Sequence, residues 1–132
     1  MRGVLCSGSI VYDTLVRPVG EWAWGTTSFV ESMEAQIGGN GANTSVAVAS
    51  VGVPVRVVGT VGRDHAGQFA LNVLRERGVD TSAVAEVEDA TASTIVMVGP
   101  SGDRKFLHRM GVSANAFATP IEFTALTSRP RS

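Results

Sequence analysis

The chain has 132 residues, of which 44% are hydrophobic and 17% charged, with 11 basic side chains against 12 acidic ones. That length fits one domain able to bury a core, and the composition speaks against extended disorder. Apart from two arginines in the last four residues there is no basic cluster to follow a phosphate backbone, so no nucleic-acid partner is expected. The single cysteine, Cys6, lies in the apolar run "GVLCSG" and cannot form an internal disulfide, which fits a buried thiol in a reducing, cytoplasmic setting. No basic leader and no run of 18 apolar residues is present, so no membrane contact is expected.

The first element, Val4 to Val16, begins β-branched and apolar and is broken by Ser7, Gly8 and Ser9; it reads as a buried strand ending in a polar turn, with Asp13 just beyond it. Pro18, Gly20 and Gly25 then mark a loop, and Thr26 to Ile37 is rich in β-formers without helical period, so loop and then strand are expected. Ala42 to Val51 lacks glycine and proline and stops at Gly52 and Pro54, which predicts a helix with small side chains nearly all round, able to pack very close to a sheet.

Val55 to Gly62, "VRVVGTVG", is the continuous apolar run of a strand buried on both faces. The segment "AGQFALNVLRERG" has helical period: Phe69, Ala70, Val73 and Leu74 share one side, Gln68, Asn72, Arg75 and Glu76 the other, and Gly78 ends it. "STIVMV" and "RKFLHRM" around "GPSGD" predict a β-hairpin with a five-residue turn, in which Gly102 and Asp103 do turn chemistry. Together these elements predict an α/β fold with a largely parallel sheet. The last dozen residues lose all periodicity.

The chemistry concentrates in Gly38 to Ser45, "GGNGANTS". A glycine-rich turn before a helix often binds phosphate through free amides and the helix dipole. The dinucleotide fingerprint would need glycine where Thr44 stands, and a P-loop would need a lysine where the chain has none, its only lysine being Lys105. What the turn offers is uncharged hydrogen bonding from glycine amides and the carboxamides of Asn40 and Asn43, suited to hydroxyl groups, with Asp13 as a carboxylate acceptor. The alternative left open is structural: the glycines make a tight turn and Asn43 caps the helix. His65 and His108 lack companions at ligand spacing, so no metal site is expected. Arg109 reads as a solvated strand-end arginine, and Ser7 and Ser9 as turn residues.

"GGNGANTSVAVASVGVPVRVVGTVG" resembles the N-terminal signature of the PfkB carbohydrate kinase family in Gly38, Gly39, Asn43, Ser45, Gly52 and Gly62. "SGSIVYDT" is similar to the family's opening strand and substrate-binding aspartate, and "VGRDHAGQFALNVLRERGVDTSAV" to its D-x-x-G, helix, G-V-D-T pattern. The resemblance implies a ribokinase-like α/β fold: a partial parallel sheet flanked by helices, with a small β-sheet lid. It places the N-terminal portion of that domain at residues 1–117, with lid segments at about 14–37 and 93–110, followed by an irregular tail at 118–132. It implies that Asp13, Gly39, Asn40, Gly41 and Asn43 bind a sugar or polyol, and that the lid closes over the ligand and can form a homodimer contact. Trp22 and Trp24 would stack on a sugar ring, fill the lid core or meet a second subunit.

The family transfers phosphate from ATP with magnesium, using a second signature, D-T-x-G-A-G-D, that this sequence lacks. The expectation is therefore a substrate-binding half without the ATP site or the catalytic aspartate, cut short soon after residue 117 and binding ATP poorly. The alternatives are a non-catalytic sugar-binding module or a non-functional fragment. Asn40 stands where ribokinase-like members usually carry lysine, so the sugar is not assigned by analogy.

Overall fold

A computed structural model of the chain describes residues 3–117. The expected tail at 118–132 lies outside the described residues. In chain order the elements are β1 (Val4–Ser7), β2 (Val11–Arg17), β3 (Ser32–Gly38), α1 (Asn40–Ser50), β4 (Val55–Gly62), α2 (His65–Glu76), β5 (Val84–Val87), β6 (Ser93–Val98), β7 (Arg104–Arg109) and a 3₁₀ turn, η1 (Gly111–Ala114).

They form two sheets. The core sheet runs β1-β4-β5, all parallel, and a second sheet, which holds the segments expected to form the lid and is called the lid for short, runs β3-β2-β6-β7. In the lid, β2 pairs antiparallel with β3 and parallel with β6, and β6 pairs antiparallel with β7. α1 precedes β4 and α2 joins β4 to β5, and both helices pack into one cluster with the same side of β4. The buried core follows: Val55, Val57 and Val61 of β4 meet Ala42 of α1 and Ala70, Leu71 and Leu74 of α2, with Cys6 and Ile10 beside them. Cys6 is a free thiol whose pKa is pushed up by burial.

The small face of α1 explains its closeness to the sheet. Gly41, Ala42 and Ser45 are its buried residues, and Ser45 satisfies its hydroxyl on the Ala42 carbonyl at 3.0 Å. In α2 the expected apolar side is present with Leu71 added to it, Phe69 and Val73 are only half-buried, and Phe69 meets the Tyr12 ring edge-on at 5.2 Å.

Four sequence expectations are corrected. Val4 to Val16 is two strands, because the Ser7-Gly8-Ser9 break turns the chain out of the core sheet, and Asp13 lies within β2, not beyond a strand. The third strand begins at Ser32, not Thr26; residues 18–31 form a loop whose Trp24 and Phe29 are almost fully exposed. Helix α1 starts at Asn40, two residues earlier than its composition suggested, since Gly39 serves as the N-cap. Strand β5, "VAEV", was not anticipated; its exposed Glu86 gives it no apolar run, and its pairing with β4 defines it.

Candidate functional site

The site is built where the lid leaves the core. Ser9 sits between β1 and β2, and its carbonyl accepts the amides of Gly41 at 3.0 Å and Ala42 at 3.2 Å, while its hydroxyl accepts the Asn40 amide at 3.3 Å. The Asn43 amide donates to the Gly39 carbonyl at 2.9 Å. The first amides of α1 are therefore consumed inside the protein, which removes the phosphate-cradle reading on physical grounds as well as by motif.

Glycine is needed here for close approach. A Cβ at Gly41 would stand 2.5 Å from the Gly8 carbonyl oxygen, and Gly39 has φ +89° with Ser9 O at 2.5 Å from its would-be Cβ. Gly41 is buried with its amide engaged, so its part is to seat the turn rather than to present a donor. Asn43 is not a cap, because α1 has no side-chain cap bond. Asn40 and Asn43 are exposed, three residues apart on one side of the first turn, and among the described residues neither carboxamide has a partner.

Asp13 approaches this turn from the lid. It is half-buried in β2, and a Cβ at Gly38 would run into its Oδ2, so its carboxylate lies over Gly38 at the threshold of the Gly39-Asn40 turn. Burial raises its pKa, opposed by hydrogen bonding from the Thr94 hydroxyl and by the charge of His108. The strand register explains these neighbours: Gln36, Asp13, Thr94 and His108 are successive partners across β3, β2, β6 and β7, and so share one face of the lid. Thr94 Oγ1 and His108 Nδ1 lie 2.8 Å apart. Sequence reading singled out Asp13 but neither Thr94 nor Gln36, and gave His108 no role. The hairpin turn alone pairs Thr94 with His108, whereas their meeting with Asp13 depends on the pairing of β6 with β2, a strand far away in sequence.

Trp22 and Trp24 pack edge-on at 5.7 Å, 56% and 88% exposed. They line a cavity of about 370 Å³ with Val16, Met33 and Met97, whose side chains leave the lid on the face opposite Asp13. Burial in the lid core and stacking on a sugar beside Asp13 are both ruled out by this placement.

A second polar knot ties lid to core. Asp64 caps α2 by accepting the Gly67 amide at 2.8 Å, and also accepts the Thr91 amide at 2.9 Å and hydroxyl at 2.6 Å. Thr91, fully buried, takes the Gly62 amide on its own hydroxyl at 2.8 Å. Burial alone would raise the Asp64 pKa; the Thr91 and Gly67 hydrogen bonds and the Arg109 charge outweigh it and hold the carboxyl below its ordinary value. Arg109 donates to the Thr91 carbonyl at 3.1 Å, so it belongs to this knot and is not merely solvated. His65 is the exposed first residue of α2, and among the described residues no three His, Cys, Asp or Glu side chains gather as a metal site.

With this geometry in view, the family model of the pfkB family carbohydrate kinases matches residues 1–128. The chain belongs to that family. Ribokinase of Bacillus subtilis strain 168 is 35% identical over 120 residues, covering 91% of this chain and 40% of that protein. Fructokinase-1 of Oryza sativa subsp. japonica is 34% identical over 86 residues, covering 64% of this chain and 27% of that one. Among solved structures, Arabidopsis thaliana ribokinase complexed with ribose and ATP is similar at a TM-score of 0.76 and 25% identity, covering 83% of this chain and 36% of that chain. This pfkB-family chain thus spans 40% or less of the length of these relatives. The fold is the ribokinase-like α/β fold, and no described helix is long and apolar enough to cross a membrane.

Proposed function

We propose that this chain forms the acceptor-binding part of a carbohydrate kinase, holding a sugar or polyol between the lid and the N-terminus of α1. The observation that carries the reading is the half-buried Asp13 carboxylate lying over Gly38, beside the unpartnered carboxamides of Asn40 and Asn43. Asp13 accepts hydrogen bonds from adjacent sugar hydroxyls, and Asn40 and Asn43 each donate and accept at the other side of the ring. Gly39 allows close backbone approach, and Gly41 locks the turn on Gly8. The segments 14–37 and 93–110 fold over the sugar and exclude water from the hydroxyl to be phosphorylated.

Phosphoryl transfer also requires a nucleotide to be positioned and its charge neutralised. The amides at the N-terminus of α1 are taken by Ser9 and Gly39, so the glycine turn itself offers no cradle for the phosphates of a nucleotide. The role of this chain's residues is to bind and orient the acceptor.

The opposite face of the lid supports a homodimer. Met33 is 68% exposed, and Ile95 and Leu107, elsewhere on the same face, are also open to solvent, apolar surface that a second copy would cover. Isothermal titration with ribose, fructose and a polyol, each with and without ATP-magnesium, tests the main reading. Saturable sugar binding that Asp13→Ala abolishes is the expected result; binding that survives the substitution refutes it.

A further inference from the structure

The back of the lid carries a cavity that sugar binding at Asp13 does not use. Its floor is Val16, Met33 and Met97, one residue each from β2, β3 and β6, and the strand register sets them side by side on the face opposite Asp13. Its wall comes from the loop 18–31, which is tied to the lid at both ends: the Val19 amide donates to the Val98 carbonyl at 2.8 Å, and the Glu31 amide to the Arg17 carbonyl at 3.0 Å. Within the loop, the Thr26 hydroxyl donates to the Ala23 carbonyl at 2.7 Å and the Ser28 hydroxyl to the Glu21 carbonyl at 3.2 Å. The loop is therefore an arch held by its own hydrogen bonds, and it sets Trp22 and Trp24 beside the floor with their rings at 80°.

The lining dictates what fits. At about 370 Å³ the cavity has the size of a small-molecule site. Among the described residues no lining side chain is charged, so an ion entering it would leave water without a partner. The Thr26 and Ser28 hydroxyls have spent their protons on the loop, which leaves too few groups to pair the several hydroxyls of a sugar. What stays open is apolar and polarisable: two thioethers, and two indoles of which Trp24 is 88% exposed. We propose that this cavity binds a small uncharged aromatic molecule, its ring packed on the indoles and against Met33 and Met97. The site is independent of the sugar-binding reading, because Asp13 lies on the other face of the sheet. Of the residues assigned to a subunit contact, Met33 lines the cavity, whereas Ile95 and Leu107 do not.

Trp22 and Trp24 are the only tryptophans of the chain, so the indole N–H resonances report on this cavity. The test is NMR titration of the isotope-labelled 132-residue chain with quinoline, which is uncharged at neutral pH, and with naphthoate, an anion of similar size. Quinoline should shift the indole resonances saturably with a Kd of about 1 mM or below, and naphthoate should bind at least tenfold more weakly. Trp24→Ala, at an exposed position, should weaken quinoline at least fivefold as followed at Trp22, and Asp13→Ala should leave it within about twofold. Thermal unfolding checks that each variant folds, and the preference for quinoline over naphthoate is read on the parent without any variant. Indole resonances that quinoline does not shift saturably, equal affinity for the two probes, a Trp24→Ala protein that binds quinoline as the parent does, or loss of quinoline binding in a folded Asp13→Ala protein each overturns the inference. None of these results touches the sugar-binding reading, which rests on sugar titrations of the Asp13→Ala variant.

Discussion

Replacing Asp64 by alanine isolates the knot that holds the lid on the core. Three hydrogen bonds disappear: the cap to Gly67 at 2.8 Å, and the Thr91 amide and hydroxyl at 2.9 and 2.6 Å. Loss of an N-cap costs about 1 kcal/mol. Thr91 is fully buried, so its amide is left without a partner, and an orphaned buried donor costs about 1–3 kcal/mol. Its hydroxyl loses its acceptor as well, and a water entering the vacated space offsets part of this. The expected loss is about 3–4 kcal/mol, a large share of the roughly 5–15 kcal/mol typical of a domain.

Urea unfolding of the two proteins at neutral pH measures this directly, and the acid side adds a second signature. The Asp64 carboxyl is held below its ordinary pKa in the folded chain, so its contribution is fully present above the unfolded-state value and is lost as pH falls through the folded one. The difference between parent and variant should therefore shrink in acid. A difference below about 1 kcal/mol at neutral pH, no more than a cap is worth, refutes the claim that Asp64 satisfies Thr91.

Two alanine substitutions in the glycine turn should separate folding from binding. Gly41→Ala meets the fixed Gly8 backbone and should lower stability by about 2–4 kcal/mol, whereas Gly38→Ala meets only the movable Asp13 carboxylate and should cost about 1 kcal/mol while weakening sugar binding at least tenfold; equal stability losses in denaturant would contradict the assignment. Asp80 pairs with Arg56 at 2.8 Å, the two side chains 24% and 12% exposed, and accepts the Ser82 amide, so Asp80→Ala should cost about 2–3 kcal/mol in urea unfolding. Because burial raises the Asp13 pKa and the carboxylate form is the one that accepts, sugar affinity should fall on acidification with a midpoint above the ordinary aspartate value; calorimetry across pH giving a midpoint at or below it counts against the role. Met33→Glu puts a charge on the exposed apolar face of the lid and should convert a dimer to monomer in sedimentation velocity, with sugar binding kept; a parent protein that is already monomeric disproves the dimer.

What the sequence determined is what short-range chemistry can write. The turn "GGNGANTS" and Asp13 carry the family resemblance, α2 declares itself by its period, and the five-residue turn after β6 fixes Thr94 opposite His108 without any knowledge of the fold. Even there, local rules misjudged details: Asn43 reads as a cap, yet Gly39 fills that place because Ser9, from the turn between β1 and β2, supplies the acceptors. The tertiary structure alone decided that β2 runs parallel to β6, which joins Asp13 to Thr94 and His108, and that Trp22 and Trp24 face away from them. A parallel pair carries no connecting turn to set its register. That register comes from burying Tyr12 against Phe69 and Thr91 against Asp64, contacts between residues distant in sequence, and so it is fixed only when the whole domain packs.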